Sequence, residues 1–68
     1  MQYKDYKIYL KRKYGNDILY ASINSEDKLM KISNHLIKDM NCKLVNAFIE
    51  KEYLTETTIY YLEEPKGE

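Results

Sequence analysis

The chain predicts an α+β fold, a single ββαββ domain with one helix packed on a four-stranded sheet. Three observations carry this reading. "KIYLKRKYG" and "DILYASIN" alternate apolar and polar residues on either side of Gly15, Asn16 and Asp17, which accept turn geometry. Leu29, Ile32, Ser33, Leu36, Ile37 and Met40 recur at three- and four-residue spacing, the period of a helix with one apolar stripe. "CKLVNAFIEKEY" and "TTIYYLEE" then return to β-branched and aromatic composition. Neither a hairpin nor an amphipathic helix buries its apolar side alone, so the helix must lie on the sheet.

In chain order, the first hairpin is expected at residues 6–14 and 18–24. Ile8 and Leu10 oppose Lys7, Tyr9, Lys11 and Lys13 on its first strand. On its second strand Leu19, Ala21 and Ile23 oppose Tyr20 and Ser22. The helix is expected at 26–40, capped by Asn24 or Ser25, with Glu26 and Asp27 at the positive end of its dipole. Asn41 suits its C-terminal stop. The second hairpin covers 43–51 and 57–63, joined around "EYLTE", and Pro65 and Gly67 mark a frayed tail over 64–68. A chain of 68 residues closes one core, so residues 1–68 form one domain.

Charge selects the strand order. Lysine plus arginine equals aspartate plus glutamate, eleven each. Yet residues 1–14 carry Lys4, Lys7, Lys11, Arg12 and Lys13 against Asp5, while residues 50–68 carry six glutamates against Lys51 and Lys66. An order 2-1-4-3, with first and last strands parallel at the centre, sets these opposite charges side by side, each cross-strand pair contributing ~0.2–1 kcal/mol. In element order this resembles β-grasp domains. A fully antiparallel order, 2-1-3-4, is the rival.

Composition also excludes. Cys42 is the only cysteine, so no internal disulfide forms, and no Cys/His cluster supports structural zinc. No cofactor is expected. A lone thiol without a signal-peptide pattern suits the reducing cytoplasm, and no run approaches the ~20 apolar residues of a membrane span. His35 and Asp39 lie one turn apart on the wet side of the helix with Cys42 beyond, but a nucleophile also needs a base in reach, an oxyanion site and a pocket, so no enzyme is expected.

Eight tyrosines, one phenylalanine and no tryptophan stand out. With Val45, Ala47, Ile49, Ile59 and Tyr61 turned toward the helix, strand parity sends Tyr9, Tyr20, Leu44, Phe48, Tyr60 and Leu62 to an open sheet face. Such a patch marks an interaction site. The expected function is a small non-enzymatic protein-binding module acting through that face or an edge strand, with Lys7, Tyr9, Lys11, Tyr20, Phe48 and Tyr60 at the contact. The Lys-, Ile-, Asn- and Tyr-heavy composition resembles that of AT-rich bacterial genomes and their phages, whose small single-domain proteins often inhibit a host enzyme, so the most specific expectation is a phage or mobile-element inhibitor of a host defence enzyme. Two alternatives accompany it: single-stranded nucleic-acid binding by the tyrosines and lysines, and a structural homodimer that hides the aromatic face.

Overall fold

The computed structural model describes residues 3–65. Its elements are β1 (Tyr3–Lys11), β2 (Ile18–Ile23), α1 (Glu26–Asn34) continued by a π-helical turn (His35–Asp39), β3 (Lys43–Lys51) and β4 (Thr55–Glu63). The sheet order is β2-β1-β4-β3. β1 and β4 run parallel at the centre, from Tyr3 opposite Thr55 to Lys11 opposite Glu63, and each carries its hairpin partner antiparallel on the outside. The self-neutralising order is therefore the observed one, and the fully antiparallel rival is not.

The charges meet as that order requires. Lys4 Nζ lies 4.0 Å from the Glu56 carboxylate, and Lys11 sits opposite Glu63. The Glu64 N–H donates to the Lys11 carbonyl at 3.0 Å, and its carboxylate accepts from the Lys13 N–H at 3.1 Å. Glu64 is thus tied to the sheet, although it begins the stretch expected to fray; residues 66–68 of that stretch lie outside the described residues. Exposed ion pairs contribute only ~0–1 kcal/mol each, so they match the strands rather than hold them.

β1 begins at Tyr3 and β4 at Thr55, earlier than the expected 6 and 57. Both shifts have one cause. The Glu52 N–H donates to the Thr55 carbonyl at 2.7 Å, leaving Tyr53 and Leu54 as a two-residue hairpin loop. The Leu54 carbonyl then accepts from the Tyr3 N–H at 2.7 Å, which extends the parallel ladder to the start of β1. At the other end Arg12, Lys13 and Tyr14 leave the strand for the turn, where Gly15 adopts φ +95° and Arg12 Nε donates to the Asn16 carbonyl at 3.1 Å.

Ile8 and Leu10 of β1, Leu29 and Leu36 of the helical segment, Leu62 of β4, and Cys42 just before β3 form the buried core, flanked by Tyr6, Ala21, Ile23, Ile32 and Tyr60. Two sets of expected facings are corrected here. In β4, Ile8 pairs with Tyr60 and Leu10 with Leu62, so Tyr60 and Leu62 face the helix while Ile59 and Tyr61 face the open side. The run Ile59-Tyr60-Tyr61-Leu62 is apolar throughout, as befits a central strand apolar on both faces, and so lacks an alternation that could set its parity. Bulges correct the outer strands: a register shift opposite Ile8/Tyr9 sets Leu19 across from Tyr9 on the open face, and one between Leu44 and Asn46 sets Leu44 across from Leu62 on the helix side. Ala47, Ile49 and Phe48 keep their expected faces, opposite Tyr60, Thr58 and Ile59.

The Ser25 side chain accepts from the Lys28 N–H at 3.4 Å, and Asn41 adopts φ +58°, so both helix-end assignments hold. The stripe does not hold to its end. The Met40 N–H reaches back five residues to the His35 carbonyl at 3.3 Å, and the Cys42 N–H to the Leu36 carbonyl at 2.8 Å. This widened turn breaks the 3.6-residue period after Leu36. Ile37 and Met40, assigned to the core stripe, are 40% and 45% exposed, and Cys42 takes the core position instead.

No β3 residue belongs to the core, and all nine are exposed. The molecule measures 47 × 23 × 14 Å, with a radius of gyration of 12.7 Å. A compact chain of this length would have ~11 Å.

Ser33 is buried on the helix with no hydrogen-bond partner for its hydroxyl. Ser33→Ala removes an unsatisfied group and improves helix propensity, so denaturant titration should show a gain of about 1 kcal/mol. Leu36→Ala should cost ~2–5 kcal/mol, enough to unfold most of the population of so small a domain, whereas Ile37→Ser should shift stability by under ~1 kcal/mol.

Candidate functional site

With the helix on one side of the sheet, the other side is covered by no element among the described residues. Strand pairing brings its occupants together: Lys7, Tyr9 and Lys11 from β1, Ile59 and Tyr61 from β4, Phe48 from β3 and Leu19 from β2. Lys7, Tyr9, Lys11 and Phe48 of the expected contact are gathered here. Tyr20 occupies the β2 bulge at 41% exposure, and Tyr60 is on the opposite side against the core. Tyr61 and Ile59 were missed because the unbroken apolar run of β4 hides its parity.

The aromatic residues form a ladder, one ring per strand. The Tyr9 and Tyr61 ring centroids are 5.0 Å apart with planes 17° from parallel. Phe48 follows at 6.0 Å and 20° on the other side of Tyr61. The closer spacing nearly equals the ~4.8 Å strand separation, and nearly parallel rings that close overlap in offset fashion. Their faces are turned to one another and their edges to water. Lys11 Nζ lies 5.9 Å from the Tyr61 ring centroid, within the range of a cation–π contact. Ile59, flanked by Lys7 and Phe48 in the register, is only 4% exposed, so this side holds a small apolar base of its own.

Carboxylates border the patch. Glu63 lies opposite both Lys11 and Lys43. Beyond it Lys11, Arg12, Lys13, Asp17, Glu63 and Glu64 line an open hollow of about 510 Å³ in which both charge signs face each other. Lys11 therefore stands among neutralising partners, not in a uniformly positive field.

The other reactive groups stand apart. His35 Nδ1 and Asp39 Oδ2 are 2.8 Å apart on the exposed side of the π-helical turn. Cys42 is buried, and its thiol donates to the Met40 carbonyl at 4.0 Å. Burial, and secondarily the negative charge of Glu64, pushes the Cys42 thiol up from its ordinary range, the reverse of nucleophile activation. Among the described residues no group of three or more His, Cys, Asp or Glu is placed to hold a metal, and no helix is long and apolar enough to cross a membrane.

The Cys42 thiol should react with an alkylating reagent at least ~10-fold more slowly in the native than in the unfolded chain; equal rates would contradict its burial. Because the folded thiol keeps its proton to higher pH, its contribution to stability is present below the ordinary thiol range and is lost as pH rises from that range through the raised folded value, which denaturant titration across alkaline pH would show.

Comparison with protein-family models, curated proteins and solved structures finds no match.

Proposed function

We propose that the protein is a non-enzymatic binding module that docks on another protein through the open sheet face, with Tyr9, Tyr61 and Phe48 as aromatic anchors and Lys7 and Lys11 as flanking charges. One observation supports this most: a three-ring ladder on an uncovered sheet face, bordered by both charge signs. Aromatic residues carry a disproportionate share of interface energy because they bury large areas at low entropic cost, and mixed charges at the rim confer selectivity. On this reading the module occupies a partner's surface, in line with an inhibitor of a host enzyme such as a phage or mobile element encodes.

Single-stranded nucleic acid is the weaker occupant for a geometric reason. Base stacking needs an exposed ring face. Here the rings spend their inner faces on each other, and Glu63 beside Lys11 repels phosphate.

The test is affinity capture from the native host's lysate with and without nuclease, using wild type, Tyr9→Ala and Lys11→Glu. The expected result is a nuclease-resistant protein partner whose affinity falls at least ~10-fold in each variant while circular dichroism stays unchanged. Capture that vanishes with nuclease, together with oligonucleotide binding that weakens steeply with salt, would replace this reading with the nucleic-acid one. Equal capture by all three proteins would remove the face from consideration.

A further inference from the structure

We infer that β3 is a dimerisation edge, and that its occupant is the β3 strand of a second copy, paired antiparallel about a two-fold axis at Phe48 to make one eight-stranded sheet. The free backbone groups can be assigned. Since the Glu52 N–H bonds to Thr55, the alternation of an antiparallel ladder turns the backbone of Glu50, Phe48 and Asn46 inward to β4 and that of Lys51, Ile49 and Ala47 outward. The Ala47 N–H, one of the outward donors, donates to the side-chain oxygen of its neighbour Asn46 at 2.9 Å.

Charge favours a second copy in that direction. The N-terminal end of β3 carries Lys43, the C-terminal end carries Glu50 and Lys51 with Glu52 just beyond it, and the six residues between Lys43 and Glu50 are uncharged. Antiparallel pairing sets the positive end of each copy against the net negative end of the other; parallel pairing would set like ends together. A two-fold axis normal to the sheet keeps each face on its own side, so only same-face residues pair. With Phe48 on the axis, Ala47 pairs with Ile49 and Asn46 with Glu50, apolar with apolar and polar with polar. Shifting the axis to Ile49 would oppose Phe48 to Glu50, and shifting it to Ala47 would oppose Phe48 to Asn46. In the Phe48 register the outward groups of Ala47 and Ile49 satisfy each other, and Asn46, released from Ala47, can donate to the Glu50 carboxylate of the other copy.

The opposite edge is less suited. β2 has six residues and a bulge at Tyr20, which twists an edge away from further pairing, whereas β3 is regular from Asn46 to Lys51. Pairing through β3 also covers apolar surface that the helix leaves open: Leu44, Phe48 and Ile49 are 43%, 39% and 55% exposed, and Ala47, Ile49, Thr58 and Tyr60 border a shallow hollow beyond the helix. The open faces of both copies would then be continuous. This inference does not depend on what the aromatic face binds.

Sedimentation of the full chain over a dilution series tests it, with Ile49→Pro, Tyr9→Lys, Phe48→Cys and Ser22→Cys. Ile49→Pro removes an outward N–H, a position where edge strands tolerate proline, and leaves the β3–β4 ladder its own donors. The expected results are twice the chain mass for wild type and Tyr9→Lys, the single mass for Ile49→Pro, and disulfide-linked dimer under oxidation for Phe48→Cys but not Ser22→Cys. Phe48 on the axis is a non-hydrogen-bonded pair with Cα atoms ~4.5 Å apart, within the ~4.4–6.8 Å that a disulfide spans. Single mass for wild type at every concentration overturns the inference. So does a dimer that Tyr9→Lys breaks and Ile49→Pro does not, or crosslinking through position 22 instead of 48. Should Ile49→Pro unfold, the two cysteine variants decide alone.

Discussion

The parallel pairing of β1 with β4 is the constraint on which the rest of this structure depends. It joins the two ends of the described chain over nine consecutive residue pairs, and both hairpins and the helix are arranged around it. Parallel neighbours cannot be joined by a tight turn and need a long crossover, here β2, the helical segment and β3. Loop-closure entropy must therefore be met before the central ladder forms. Two features offset it. Ile8, Leu10 and Leu62 present one apolar surface to the helix, and the cationic start of the chain lies along its anionic end.

The same pairing produces the candidate site. Setting β1 and β4 in this register makes Tyr9 and Tyr61 neighbours, and the β3–β4 ladder adds Phe48 beside them. One helical segment can lie on only one side of the sheet, so the aromatic side is left to water or to a partner. The buried core is small and contains no β3 residue. Its thinness and the exposure of β3 are one fact seen twice: the apolar surface that a larger domain would bury internally stands here at a face and an edge.

Much of the fold was legible in residues. Gly15-Asn16-Asp17 between alternating runs located the first hairpin, Ser25 and Asn41 bracketed the helix, and the charge imbalance between the ends pointed to the order β2-β1-β4-β3. The candidate site was legible in part. Lys7, Tyr9 and Lys11 share a face because β1 alternates cleanly, and Phe48 follows from the regular half of β3. Tyr60 and Tyr61 were assigned to each other's faces because four successive apolar residues carry no period, and Leu19 and Leu44 changed sides because a bulge at the next residue puts the two halves of a strand one position out of phase.

By itself the sequence determined the element types, their order and the end-to-end charge match, since propensity, periodicity and turn chemistry act between residues close in the chain. Tertiary structure alone decided which side of β4 faces the helix, where the bulges fall and that the helix ends in a widened turn exposing Ile37 and Met40. Those outcomes depend on register between strands as far as 52 residues apart, and register is settled by which set of side chains packs against Leu29 and Leu36. The ladder of Tyr9, Tyr61 and Phe48 belongs to that second class, and so does the uncovered edge of β3.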